Sequence, residues 1–310
     1  MTRIIFMGTP DFSLPSLKLL IEKTSHEIIV YTRPAKPQGR GLEIEPSPVE
    51  VFAKEKNLPL YMPGNLKDES TVHAIKKLCP DYIITCAYGL FLPKTILHIP
   101  KKACINIHPS LLPKYRGAAP INWTLINGDK ETGTTIMFMD EGMDTGNILF
   151  QKKLEIFPHD NAETLAIRLA SLSAECLIET LNGLERGTIT PKPQNSSEAT
   201  FAPLLKKELG KIDWSQSAEK IHNLIRGLYP WPGAYTLLDG RALKIFASEV
   251  LGEENSKEKK SGTILLELAA GVVVTTGNHP ILIKEAQLPN KKRMNIAQIF
   301  QGYRGKKILG

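Results

Sequence analysis

The sequence predicts an α/β protein: a doubly wound, mostly parallel sheet followed by a smaller C-terminal β-barrel. Three observations carry this prediction. Short, continuously apolar runs alternate with helical patterns through residues 1–187, as expected of parallel strands covered on both faces. After Gly187 the chain turns polar and proline-bearing, with Pro191, Pro193, Gln194, Asn195, Ser196 and Ser197, which reads as a connector. Beyond it, short strand-like runs are set off by Gly or Pro, which is how a small barrel reads. The expected organisation is a catalytic-type domain over 1–187, a linker over 188–206 and a barrel domain over 207–310.

The elements follow in order. Arg3 to Met7 is an apolar run stopped by Gly8. Leu14 to Lys23 reads as a helix, with Ser13 as N-cap and Pro15 tolerated in the first turn. Glu27 to Tyr31 is a second buried strand. Arg33 to Pro48 carries Pro34, Pro37, Gly39, Gly41, Pro46 and Pro48 and reads as a long irregular loop. Helices are expected over 49–56 and 70–78, then buried strands at Asp81–Ala87 and Ala103–Ile107. A helix at 120–127, strands at 134–139 and 148–156 and a long helix over 162–184 complete the first domain. Its apolar residues Leu165, Leu169, Leu172, Cys176 and Leu177 recur at helical spacing. In the second domain, Ser217 to Leu228 is helical. Tyr235–Leu238 and Ala242–Phe246 flank Asp239-Gly240, a strong hairpin signal. Strands at 263–268, 272–276 and 281–286 follow, and the whole suggests the oligonucleotide-binding (OB) type of barrel.

Charge is divided unevenly. The chain of 310 residues carries net charge +7, with 22 basic and 22 acidic residues in 1–204 but 17 basic and 10 acidic in 205–310. A basic module joined to a neutral one suggests contact with a phosphate backbone, although a merely solubilising surface gives the same arithmetic. No apolar run approaches the roughly 20 residues needed to cross a bilayer, and the N-terminus lacks the apolar core of a signal peptide. A cytoplasmic protein is expected. Cys79, Cys86, Cys104 and Cys176 sit in apolar stretches without CxxC pairing, so buried free thiols are expected rather than disulfides or a zinc site.

Two strand ends could carry chemistry. The first strand ends in Gly8-Thr9-Pro10-Asp11-Phe12, one glycine where a dinucleotide fingerprint needs three, so a nicotinamide dehydrogenase is not expected. Alternation along Asn106-Ile107-His108 puts the amide and the imidazole on one side of their strand. Asn106 can donate to an oxygen that becomes negative, and His108 can shuttle a proton. A turn-capping Asn and a hydrogen-bonded strand-end His remain the structural alternative. The second site is Asp140-Glu141-Gly142-Met143-Asp144-Thr145-Gly146, one of whose carboxylates could orient His108. Without HxxxH or cysteine spacing, it is a weak metal signal. Between the sites, Ser110 to Pro120 offers apolar leucines in a proline-bounded loop, suited to walling a flat heterocycle, with backbone groups to read its edges.

Asn106 to Pro120 (NIHPSLLPKYRGAAP) followed by DEGMDTG at 140–146 resembles the formyltransferase family that uses 10-formyltetrahydrofolate. GTPDF at 8–12, GRG at 39–41 followed by PSPV at 46–49, KIDW at 211–214 and PWPGA at 230–234 extend the resemblance essentially end to end. It implies that Asn106, His108 and Asp144 are the catalytic amide, imidazole and carboxylate. It also implies that Ser110, Leu111, Leu112 and Pro113 contact the folate, and that no metal is needed. The motifs most resemble members whose acceptor is the methionyl amine of initiator tRNA. That implies a loop bearing Arg40 directed at the acceptor stem and a tRNA-binding C-terminal barrel; nothing in the sequence forces association, and a monomer is expected. One departure is Leu42-Glu43-Ile44-Glu45 after that loop's Gly-Arg-Gly, where the family often has lysines; acids beside a phosphate backbone are unfavourable. Another is Ala202-Pro203-Leu204-Leu205, where a lysine often follows the proline. The alternatives are a formyltetrahydrofolate hydrolase, a small-molecule amine formyltransferase and a non-enzymatic RNA-binding protein.

Overall fold

The computed structural model describes residues 1–35, 43–252 and 259–310, together with Pro37 and Gln38. Arg40, with the Gly-Arg-Gly motif and Leu42, lies outside the described residues. The chain divides into two compact units. The first comprises Met1–Gly117, Glu131–Glu155 and Ala166–Phe201; the second comprises Ala118–Lys130, Ile156–Leu165 and Ala202–Gly310.

In chain order the strands of the first part are β1 (Arg3–Gly8), β2 (Glu27–Tyr31), β3 (Pro37–Gln38), β4 (Glu43–Ile44), β5 (Leu60–Tyr61), β6 (Tyr82–Cys86), β7 (Ala103–His108), β8 (Arg116–Gly117), β9 (Glu131–Phe138), β10 (Ile148–Glu155) and β11 (Phe201–Ala202). Helices α1 (Leu14–Lys23), α2 (Pro48–Glu55), α3 (Glu69–Lys77), α4 (Lys94–Leu97), α5 (Pro120–Ile126) and α6 (Ala162–Arg186) interleave with them. One seven-stranded sheet runs β10-β9-β7-β6-β1-β2-β5. Its five strands from β7 to β5 are parallel, and β9 and β10 add an antiparallel edge.

The core follows from alternation along these strands. Ile4, Phe6, Ile28, Val30, Tyr82, Ile84, Ile105 and Ile107 share one apolar cluster with residues of α1, α2 and α6. Ile5, Met7, Ile29, Tyr31, Ile83 and Cys104 point the other way, with Ile75 and Ile96 of α3 and α4. Burying each such side chain stabilises the fold by about 1.5–3 kcal/mol, and a one-residue slip of any strand would exchange the two faces. The chain starts in the middle of the sheet, runs outward to β2 and β5, then returns to β6 on the far side of β1. That reversal opens a crevice at the carboxyl ends of β1 and β6.

The second unit holds an antiparallel sheet of β12 (Ala234–Leu238), β13 (Arg241–Val250), β14 (Ile264–Leu268), β15 (Gly271–Val274) and β16 (Ile281–Gln287), ordered β12-β13-β16-β15-β14, with β17 (Met294–Asn295) on β16. Asp239 and Gly240 both have positive φ, 48° and 74°, the backbone of a two-residue hairpin turn that matches strand twist. Helix α7 (Ala218–Gly227) is capped by Ser217, whose hydroxyl accepts from Lys220 N, and packs into the same core through Ile221 and Ile225. The short α8 (Ile296–Phe300) adds Ile296 and Phe300.

Three local expectations change. Ser13 precedes α1 but does not cap it; its hydroxyl donates instead to the carbonyl of Cys86 at 2.6 Å. Cys79 is exposed, while the other three thiols are buried. The stretch 188–206 is not loose where it is polar: Lys192 pairs with Ile148 across an antiparallel bridge, and Arg116 N donates to Thr200 O at 2.9 Å. Among the described residues, no helix is long and apolar enough to cross a membrane.

Candidate active site

Strand β7 delivers Asn106 and His108 to the same side of the sheet, as alternation requires. The hydroxyl of Thr85, paired with Asn106 across β6 and β7, donates to Asn106 Oδ1 at 2.6 Å. The amide is thereby oriented with its nitrogen outward, and Nδ2 donates to Asp144 Oδ1 at 3.3 Å. His108 is 4 % exposed. Its Nε2 lies 2.9 Å from the carbonyl of Tyr115; a carbonyl only accepts, so the hydrogen sits on Nε2. The other ring nitrogen, Nδ1, lies 3.6 Å from Asp144 Oδ2. Amide, imidazole and carboxylate therefore converge, although 38 positions separate Asn106 from Asp144.

Asp144 is held as firmly as it is aimed. Its backbone is left-handed, φ 54°, a conformation Asp tolerates better than most residues. Oδ2 accepts from Gly117 N at 2.8 Å. Gln194 Nε2 donates to the carbonyls of Asp144 and Gly146, 2.8 Å each, while its Oε1 accepts from Arg116 at 2.7 and 3.1 Å. Asp140 folds the start of the loop by accepting from Gly142 N and the Thr145 hydroxyl. A Cβ on Gly146 would collide with the carbonyl oxygen of Phe138, so this close approach requires glycine.

The proline-bounded segment after His108 is anchored to the antiparallel edge. Thr135 Oγ1 donates to Ser110 O at 2.6 Å and accepts from Leu112 N at 3.1 Å, and Gln151 Nε2 donates to Leu112 O at 2.8 Å. Ser110 and Leu112 are buried, Leu111 and Pro113 half-buried. The backbone groups expected to read a heterocycle are thus engaged within the protein at Ser110 and Leu112.

Residues 2–181 match the family model described as formyl transferase, and residues 204–304 match that of the formyl transferase C-terminal domain. The chain belongs to the formyltransferase family. Methionyl-tRNA formyltransferase of Geobacter sulfurreducens is 45 % identical over 97 % of this chain and 94 % of its own. That of Alkaliphilus oremlandii is 46 % identical over 97 % of this chain and 96 % of its own. Among solved structures, an N-formyltransferase from Helicobacter canadensis, in complex with folinic acid and dTDP-3-aminofucose, matches with TM-score 0.68. It is 17 % identical, covering 91 % of this chain and 99 % of that one. HypX from Aquifex aeolicus in complex with tetrahydrofolic acid matches with TM-score 0.65 and 21 % identity, over 96 % of this chain and 46 % of that one. At such identities the two structures speak to the fold.

In this formyltransferase the supporting residues Thr85, Tyr115, Gly117, Gln194 and Arg116 escape a reading of the sequence. Thr85 had a signal: it is the polar residue in an otherwise apolar strand, facing the same way as Asn106. Tyr115 and Gly117 act through backbone atoms, which no side-chain pattern announces. Phe91 and Met143 are 61 % and 60 % exposed on loops following β6 and β9, which Lys94 and Glu141 tie together at 2.7 Å. Among the described residues no cluster of His, Cys, Asp or Glu could hold a metal ion.

Proposed function

We infer that this chain transfers the formyl group of 10-formyltetrahydrofolate to the α-amine of methionine esterified to initiator tRNA, giving N-formylmethionyl-tRNA for translation initiation. The convergence of Asn106, His108 and Asp144 supports the chemistry, and the 44–46 % identical relatives named methionyl-tRNA formyltransferase support the acceptor.

The roles follow from the atoms. Asn106 Nδ2 donates to the formyl oxygen as the neutral amine adds to the formyl carbon and negative charge gathers there. His108, with its hydrogen fixed on Nε2 by Tyr115, carries no hydrogen on Nδ1. That nitrogen takes the proton lost by the attacking amine and returns it to the departing folate nitrogen. Asp144 holds the ring in place and balances the imidazolium formed in transit. The C–N bond to the methionyl amine forms, the bond from the formyl carbon to the folate nitrogen breaks, and the proton ends on the folate. Leu111, Leu112 and Pro113, with Ser110 as their anchor, wall the folate.

Substrate choice rests on the second unit. Its antiparallel sheet is read as an OB-type barrel that carries the tRNA, consistent with the basic surplus after residue 205. Arg40 is assigned to the acceptor stem. Residues 1–187, 188–206 and 207–310 remain the proposed catalytic domain, connector and RNA-binding domain of a cytoplasmic monomer.

The deciding experiment supplies a labelled formyl donor and charged initiator tRNA at two salt concentrations. Label on methionine, with a salt-sensitive KM, supports transfer. Label released as formate would make the chain a hydrolase, and label remaining on the folate would leave only an RNA-binding protein.

A further inference from the structure

The crevice at the carboxyl ends of β1, β2 and β6 holds a second set of polar groups. Register pairs Tyr31 with Met7, Met7 with Thr85 and Thr85 with Asn106. Tyr31 and Asn106 therefore lie in one row on one face, roughly 14 Å apart at three strand spacings. Arg33 follows just beyond the end of β2, and its guanidinium reaches the turn after β6. After β6 the chain turns through Ala87 and Gly89, with φ 49° and 80°. The Thr9 hydroxyl donates to Tyr88 O at 3.0 Å across the switch point. A Cβ on Gly89 would stand 3.0 Å from Arg33 Nη1, so the absence of a side chain there leaves room for the guanidinium. The ends of β2 and β6 thus bring Tyr31, Arg33 and Tyr88 together.

The rings of Tyr31 and Tyr88 belong to the core, but their hydroxyls are not paired within it. Tyr31 and Tyr88 are 1 % and 3 % exposed, and neither hydroxyl has a hydrogen-bond partner among the described residues. Buried hydroxyls are nearly always satisfied, so each such exception calls for an explanation. Burial pushes the Tyr88 phenol up to about 12 against the opposing pull of Arg33, and holds Tyr31 above its ordinary range. Both phenols are therefore neutral O–H donors at working pH. Arg33 is half-buried and makes no ion pair among the described residues. Two neutral donors beside a permanent cation suit an anionic oxygen group.

We propose that Arg33 and the hydroxyls of Tyr31 and Tyr88 form a subsite for the 5′-phosphate of the terminal nucleotide of the aminoacylated RNA. The proposal rests on the transfer reading above. A folate carboxylate has the same chemistry, but Leu112 of the segment assigned to folate is pinned to Thr135 on β9, on the opposite side of β7 from β1 and β2. The β2 side is left for the acceptor, at a reach comparable to an aminoacyl ester plus one nucleoside.

The test measures KM for methionyl initiator tRNA and for 10-formyltetrahydrofolate separately, and titrates 5′-AMP and adenosine as direct ligands. Arg33→Ala should raise the tRNA KM about ten- to hundredfold with kcat little changed, as loss of a charged hydrogen-bonding partner implies. It should also erase a wild-type preference for 5′-AMP over adenosine, and Arg33→Lys should restore part of both. Tyr31→Phe and Tyr88→Phe should raise the same KM several-fold without lowering Tm, since each removes a hydroxyl the fold leaves unpaired. An unchanged tRNA KM in Arg33→Ala would overturn the subsite, and a rise confined to the formyl donor would reassign it to a folate carboxylate. If the wild type formylates no methionyl acceptor, the underlying reading fails by itself. The nucleotide titration then still decides: equal binding of 5′-AMP to wild type and Arg33→Ala refutes the phosphate site.

Discussion

The hydroxyl of Thr85 donates to Oδ1 of Asn106 at 2.6 Å, which fixes the amide with its NH2 toward Asp144. Without that lock on its acceptor oxygen the amide can turn over and present its carbonyl to the developing oxyanion, which repels it. Thr85→Val is therefore expected to lower kcat about fivefold to twentyfold with KM for both substrates nearly constant, part of the 100- to 1000-fold that a whole oxyanion donor is worth. Thr85→Ser should recover most of the loss. Steady-state kinetics on the three proteins checks this; a rise in KM at constant kcat would mean Thr85 serves binding instead.

Asp144 and His108 are expected to act as one unit. Asp144→Asn removes the charge facing Nδ1 and forces the new amide to choose between Gly117 N–H and the imidazole. Its kcat should fall about 100- to 1000-fold, and so should that of His108→Ala. The double variant should lose little more than the worse single one, because residues acting together are non-additive. Single-turnover rates provide the measurement, and strictly multiplicative losses would show two independent roles.

Much of this site is legible in the sequence because strand alternation is a rigid rule. Asn106 and His108 share a face, while Ile105 and Ile107 occupy the other. Asp239-Gly240 announces its hairpin because few dipeptides accept two positive φ values. What is hidden is what depends on tertiary return of the chain. Gln194 reads as a connector residue and turns out to brace the Asp144 loop, 50 positions away. Ser13 has the residue type of a helix cap, yet a buried carbonyl at Cys86 competes for its hydroxyl and wins. The grouping of α5 with the C-terminal part is equally invisible, since its packing partners come a hundred positions later.

Gln194 gives a prediction of its own. Gln194→Ala leaves the guanidinium of Arg116, 5 % exposed, without its acceptor and frees the carbonyls of Asp144 and Gly146. A loss of about 1–3 kcal/mol in stability is expected, together with lower kcat. Gln194→Glu keeps an acceptor for Arg116 but no donor for the two carbonyls, so it should spare Tm more than kcat. Thermal melts and initial rates on the two variants separate the effects, and equal recovery of both would assign Gln194 to stability alone.

Thiol chemistry should single out one cysteine. Burial pushes Cys86 and Cys104 up to about 12 and Cys176 up to about 11, so all three are protonated at pH 8 and shielded as well. Cys79 is exposed. A disulfide reagent at pH 8 should consume one thiol per folded chain and four after denaturation. Rapid reaction of a second thiol in the native protein would contradict the buried positions.

RNA contact is best tested by charge rather than by truncation. Removing residues from 205 onward takes away Leu205 and Leu228, which pack on Ala119, and Gly227, whose carbonyl accepts from Asn122 at 2.7 Å. The remainder would expose the apolar face of α5, so lost tRNA use could reflect a damaged fold. Lys291 and Lys292 are exposed and stand in no ion pair among the described residues. Replacing both by Gln leaves the core intact and removes two phosphate-seeking charges. If they contact the backbone, the tRNA KM should rise and the slope of log KM against log salt should flatten by about two. The KM for the formyl donor and the Tm should stay as in the wild type, and an unaltered salt slope would place the RNA on another face of the second unit.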